Sequence, residues 1–100
     1  MKQSNLIELH KLCTYYNVEL AFFTNLNDYG LIEIETREAA QFVHQDNLPD
    51  LEKMIRLHHE LGINFEGIDT IFHLLEKIDL LQEELLDAQN RLQAFEDVFM

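Results

Sequence analysis

The sequence predicts a mainly α protein: a helix-turn-helix head with a small β wing, followed by one long helix. Three observations carry that reading. Proline occurs once and glycine three times in 100 residues, which favours helices over a turn-rich β fold. Two short amphipathic segments separated by a tight turn lead into a run where apolar and acidic residues alternate. From Ile71 to Phe95, apolar residues recur without a break at alternating spacings of three and four. With 47% hydrophobic and 26% charged residues, the chain has the apolar content of a folded domain and not of a disordered segment.

Taken in order, the first helix is expected after Asn5, whose side chain can cap it with Glu8 three residues on, as in a capping box. Leu6, Leu9, Leu12 and Cys13 follow at helical spacing, and Tyr16 can join them. Asn17 makes the turn. The second helix runs from Glu19 to Asp28 with Leu20, Phe23 and Leu26 inward, and ends where Gly30 supplies a left-handed residue. Phe22, beside an inward Phe23, is expected to face solvent. Leu31 to Glu35 reads as a strand with Ile32 and Ile34 on one face and Glu33 and Glu35 on the other. Gln41 to His44 is a second strand, so the pair forms a hairpin wing with residues 35–40 near its tip.

Pro49 opens the third helix, at a position where its missing N–H costs nothing. Leu51, Met54, Ile55, His58 and Leu61 give that helix an apolar face, and Gly62 ends it. Asn64 caps the last helix, expected from Phe65 to about Ala94. Its heptad places Ile71, Ile78, Leu85 and Leu92 at one core position, with Leu74, Leu81, Ala88 and Phe95 at the other. A lone helix cannot bury such a stripe, so a coiled-coil homodimer is expected, with a fold-back within the chain as the alternative. Residues 1–61 form the head and residues 62–100 the dimer arm, in one structural domain.

Charge sharpens the functional reading. Residues 1–61 carry ten acids against five bases, a local charge of −5, and the whole chain stands at −12. Proteins that grip a duplex neutralise several phosphates with Lys and Arg, so a head of this design and charge better suits a basic protein surface than DNA. No Ser/His/Asp arrangement, Gly-rich phosphate loop or zinc-protease pair is present, so no enzyme activity and no cofactor are expected. His58 and His59 are adjacent and point to different helix faces, which argues against a chelating pair. Cys13, the single cysteine, excludes an internal disulfide and is expected as a buried thiol. No run is long and apolar enough to span a membrane, and no signal peptide is apparent, so a cytoplasmic location is expected.

The stretch Arg56-Leu57-His58-His59-Glu60-Leu61-Gly62-Ile63-Asn64-Phe65-Glu66-Gly67-Ile68, together with Asp28-Tyr29-Gly30-Leu31-Ile32-Glu33, resembles the MerR-type regulators. The match is closer to one branch of that family, the chaperone modulators called CbpM. That resemblance implies a MerR-like winged helix-turn-helix whose last helix pairs antiparallel with its mate. It further implies binding to the J-domain of a CbpA/DnaJ-like co-chaperone, inhibition of its work with DnaK, and no catalysis. DNA-binding relatives place an Arg before paired aromatics on the second helix; here Leu20-Ala21-Phe22-Phe23 puts Ala21 in that place. The wing keeps only Arg37, between acids, and the cysteines of metal-sensing relatives are missing from the last helix.

The expected partners are therefore a J-domain and a second copy of the chain, without nucleic acid or membrane. The alternatives are a MerR-like DNA-binding transcriptional regulator and a structural coiled-coil adaptor. Candidate partner-binding residues are Phe22, Glu33 and Glu35 on the second helix and wing, and Asp50, His59, Glu60 and Glu66 around the third and fourth helices.

Overall fold

The computed structural model describes residues 5–99; residues 1–4 and 100, at the outer ends of the expected head and arm, lie outside the described residues. The element order is β1 (Leu6–Glu8), α1 (Leu9–Tyr16), α2 (Leu20–Asp28), β2 (Glu35–Arg37), β3 (Ala40–His44), α3 (Leu48–His59) and α4 (Phe65–Phe99). The fold is mainly helical with a small β-sheet. Its contacts divide into two compact units, one up to Asp69 and one from Thr70 onward.

In the first unit, β3 is the central strand of an antiparallel sheet ordered β1-β3-β2. The first strand corrects the expected start of helix one. Leu6, Ile7 and Glu8 pair with His44, Val43 and Phe42, so Asn5 caps no helix and the capping box does not form. Pairing on both sides gives the β3 backbone partners for its donors and acceptors, a gain the local helical spacing does not reveal. The helix begins instead at Leu9, after an extended Glu8 with no side-chain cap. Asn17 ends it in the left-handed conformation, as expected of the turn. Cys13 is only half-buried, not buried, and partial desolvation pushes its thiol pKa up.

Helix α2 closes with a Schellman motif: Leu31 N–H donates to Leu26 O and Gly30 N–H to Asn27 O, with Gly30 at φ +74°. Its inward side is set by Phe22, Phe23 and Leu26, all buried. At 100° per residue these three centre the buried arc away from Leu20, which is 47% exposed and not inward as expected. The expected strand over residues 31–35 is realised only at Glu35. Leu31 is spent on the helix end, and Ile34 N–H donates to Asn27 Oδ1 instead of to a neighbouring strand. The alternation still buries Ile32 and exposes Glu33. The hairpin turns on Glu38 and Ala39, both at positive φ, between the paired Arg37 and Ala40.

The head core consists of Leu9, Leu12, Val18, Phe22, Phe23, Leu26, Ile32, Val43, Leu51, Met54 and Ile68. Pro49 sits in the first turn of α3, and Leu51 and Met54 face inward as the spacing required. The helix stops at His59, so Leu61 lies beyond it and is 67% exposed, against the expected inward position. Gly62 (φ +68°) reverses the chain, and Asn64 Oδ1 accepts from Gly67 N–H at 2.7 Å, capping α4 as its sequence implied.

In the second unit, α4 continues to Phe99, five residues past the expected end at Ala94. Asp87–Arg91 and Gln93–Asp97 pairs at i,i+4 support its polar side. Among the described residues no helix is long and apolar enough to cross a membrane.

Candidate partner-binding site

The turn at Gly62 and the Asn64 cap bring the end of α3 and the start of α4 together over α2. The result is an aromatic–histidine cluster. The Phe22 ring lies 5.2 Å from His58, 5.4 Å from His59 and 5.6 Å from Phe65, and His58 stacks on Phe65 at 4.8 Å. His58 Nδ1 is 2.8 Å from Ile63 O, which ties the imidazole to the chain between α3 and α4. Phe22 is therefore a core residue and not the solvent-facing anchor expected from its neighbour. Helices α3 and α4 supply the rings that cover Phe22, and Phe23 is fully buried beside it. Exposed His59 and partly exposed Tyr29, stacked on Phe65, form the rim.

Beside this rim is a groove of about 210 Å³ lined by Tyr16, Glu52, Ile55, Arg56, His59 and Glu60. Tyr16 Oη donates to Glu52 Oε2 at 2.6 Å across it. Burial first, then the hydrogen bond to Glu52 and its charge, push the Tyr16 phenol up to about 12. Of the candidates, His59 and Glu60 share this groove. Glu66 is exposed in the first turn of α4. Asp50 is exposed in the first turn of α3, ten residues before Glu60, which at ~1.5 Å per residue separates them by about 15 Å.

The wing candidates lie elsewhere. Glu33 lines a shallow surface with Asn27, Gly30, Leu31, Ile32 and Asn47. Glu35 is held by Arg37 at 3.1 Å, both side chains nearly half exposed. The seven candidates thus do not converge on one spot. Sequence reasoning did not bring Tyr16 to Glu52, because that contact joins residues 36 positions apart.

In the second unit, Leu74, Ile78, Leu81, Leu85, Leu92 and Phe95 are each between 47% and 59% exposed. Ala88 is exposed and Ile71 half-buried. Leu75, Leu80 and Leu86 widen the apolar surface, and Val98 and Phe99 prolong it past the expected seam.

Residues 7–90 match the model of the family described as MerR HTH family regulatory protein. The chain is similar to the chaperone modulatory protein CbpM of Pseudomonas entomophila, 27% identical over 90 residues that span 89% of each chain. CbpM proteins from two Pseudomonas putida strains are 23% and 24% identical over the same share of both chains. No solved structure matches.

Proposed function

Because the chain belongs to the MerR HTH family of regulatory proteins, on the branch that holds the CbpM proteins, we propose that it is a chaperone modulator. In this reading it is a non-enzymatic regulator that binds the J-domain of a CbpA/DnaJ-like co-chaperone and competes with DnaK for it. Residues 62–100 form the arm through which two copies pair antiparallel.

One observation carries the proposal. The helix that would enter a DNA groove, Leu20–Asp28, holds no base at all, and its sole charged residue is Asp28. With that Asp28 included, residues 1–61 carry ten acids against five bases. Non-specific duplex binding is an electrostatic term set by neutralised phosphates, and this surface repels them. The same field attracts a basic protein surface from a distance, raising its on-rate. Names and charge thus agree in sign: the relatives' names refer to chaperones, and the head suits a basic protein.

Calorimetry with the cognate J-domain tests the reading. Complex formation whose affinity falls as salt rises is the expected result; no heat and no complex at tens of micromolar overturns it. The winged helix-turn-helix scaffold favours one second reading, a DNA-binding regulator. A sequence-specific gel shift at nanomolar protein and physiological salt would establish that instead.

A further inference from the structure

We propose that the outer face of the three-stranded sheet seats a basic segment of a protein partner, with the Phe42 ring as its floor and Glu8 and Glu35 as flanking anions. The partner's identity rests on the modulator reading; the location is argued from strand register and charge.

Val43 is fully buried, so alternation along β3 turns its neighbour Phe42 to the opposite face. Glu8 on β1 and Glu35 on β2 both pair directly with Phe42. Directly opposed residues share a face with Cβ atoms about 5 Å apart, so one half-buried ring stands in a row between two carboxylates. A groove of about 370 Å³ opens here, lined by Leu6, Arg37, Glu38, Ala40 and Phe42. Through Ala40 it adjoins a second groove of about 200 Å³, whose lining includes Glu8, Ala39 and the exposed Leu20. Apolar surface therefore continues from the sheet to α2 with acids along it.

An aromatic face between two carboxylates suits a Lys or Arg side chain, which gains from the ring quadrupole and from both charges. The apolar floor accepts the stem of such a side chain or the apolar side of a basic helix. Glu35 already takes a guanidinium, that of Arg37. Phosphate does not fit: among the described residues lining the two grooves Arg37 is the sole Lys or Arg, and the three carboxylates Glu8, Glu35 and Glu38 outnumber it. A second copy does not fit either, because it would set one acidic head against another.

The test uses the full-length chain in two titrations followed by amide chemical shifts. The first probe is a Lys/Arg-rich amphipathic helical peptide, the second a J-domain. Shifts centred on Leu6, Glu8, Glu35, Ala40 and Phe42 are expected with both. Phe42→Leu, and the pair Glu8→Gln with Glu35→Gln, should each weaken binding roughly tenfold, as loss of a central contact does. The control pair Glu83→Gln with Glu84→Gln should change affinity less than twofold, and circular dichroism should report an unchanged fold throughout. Shifts centred elsewhere, or a control that weakens binding as much as the head variants, overturn the site. Duplex DNA moving these amides, or self-association through them, does so too. A J-domain that binds wild type and head variants equally overturns the site and leaves the modulator reading. A peptide that seats here while the J-domain fails to bind overturns the modulator reading and leaves the site.

Discussion

The Tyr16 hydroxyl donates to Glu52 Oε2 at 2.6 Å, joining the end of α1 to the open side of α3. The phenol, raised to about 12 from an ordinary value of 10, holds its proton more tightly in the folded chain than in the unfolded one. Its contribution to stability is therefore complete below about pH 10 and is lost as the pH climbs toward about 12. The difference sets a ceiling of about 3 kcal/mol, and screening at this partly open site reduces it to about 1 kcal/mol. Urea unfolding should show wild type losing its advantage over Tyr16→Phe across that window. Equal slopes of stability against pH in the two proteins would refute the linkage.

Phe22 packs among Phe23, His58, His59 and Phe65, so Phe22→Ala should act on the fold. A core cavity of this size costs about 3–5 kcal/mol, a large share of what a small domain has. Denaturant unfolding measures it. A variant with wild-type stability and weakened partner binding would restore Phe22 as a surface anchor.

The wing turn places Glu38 at φ +50° and Ala39 at φ +67°. A two-residue hairpin turn with both central residues at positive φ favours Asn-Gly, and side chains with a Cβ pay a steric cost there. Replacing Glu38→Asn and Ala39→Gly together should raise stability by about 1 kcal/mol. No gain in the urea midpoint would show that the turn is unstrained. The substitution also leaves the Glu8–Phe42–Glu35 row untouched.

What the sequence made legible follows how local each signal is. Asn64 caps its own helix, Gly30 ends its own, and the long α4 declares itself within one segment, so each can be read from adjacent residues. The strand Leu6–Glu8 could not, because its partner is Phe42–His44 and Leu6, Leu9 and Leu12 fit a helical spacing just as well. Phe22 was misplaced for the same reason: His58 and Phe65, which cover it, arrive from more than thirty residues away. His59 and Glu60 are adjacent in sequence and share one groove, whereas Glu33, Glu35 and Asp50 were joined only by charge. The row of Glu8, Phe42 and Glu35 needed strand register, which no single segment carries.

Gly67 tests the α4 cap. In a helix, Ala is ordinarily favoured over Gly by about 1 kcal/mol. Here an added Cβ would lie 2.7 Å from Ile63 Cγ2 and 3.1 Å from Asn64 Oδ1, the capping atom itself. The β-branched Ile63 is stiff at χ1, so its methyl moves aside only by leaving its preferred rotamer, and displacing Asn64 loses the cap, worth about 1 kcal/mol. Gly67→Ala should therefore destabilise the head. A rise in thermal midpoint would mean that Ile63 and Asn64 yield freely.

The proposed arm rests on the stripe from Ile71 to Phe95. Five large side chains from Ile78 onward, namely Ile78, Leu81, Leu85, Leu92 and Phe95, stand about half exposed on one chain. Burying them in a pair at ~1.5 kcal/mol each yields at most about 15 kcal/mol for two protomers, against an association cost of about 4–15 kcal/mol. The proposed dimer should therefore depend on concentration. Leu85→Asp puts an uncompensated carboxylate in the middle of the seam, where desolvation costs several kcal/mol per ion. That is enough to dissociate a pair whose net gain is small. Sedimentation at micromolar protein should show dimers for wild type and monomers for the variant, with the head fold unchanged by circular dichroism. An unaltered dimer mass in Leu85→Asp would place the contact between copies on a surface other than this stripe.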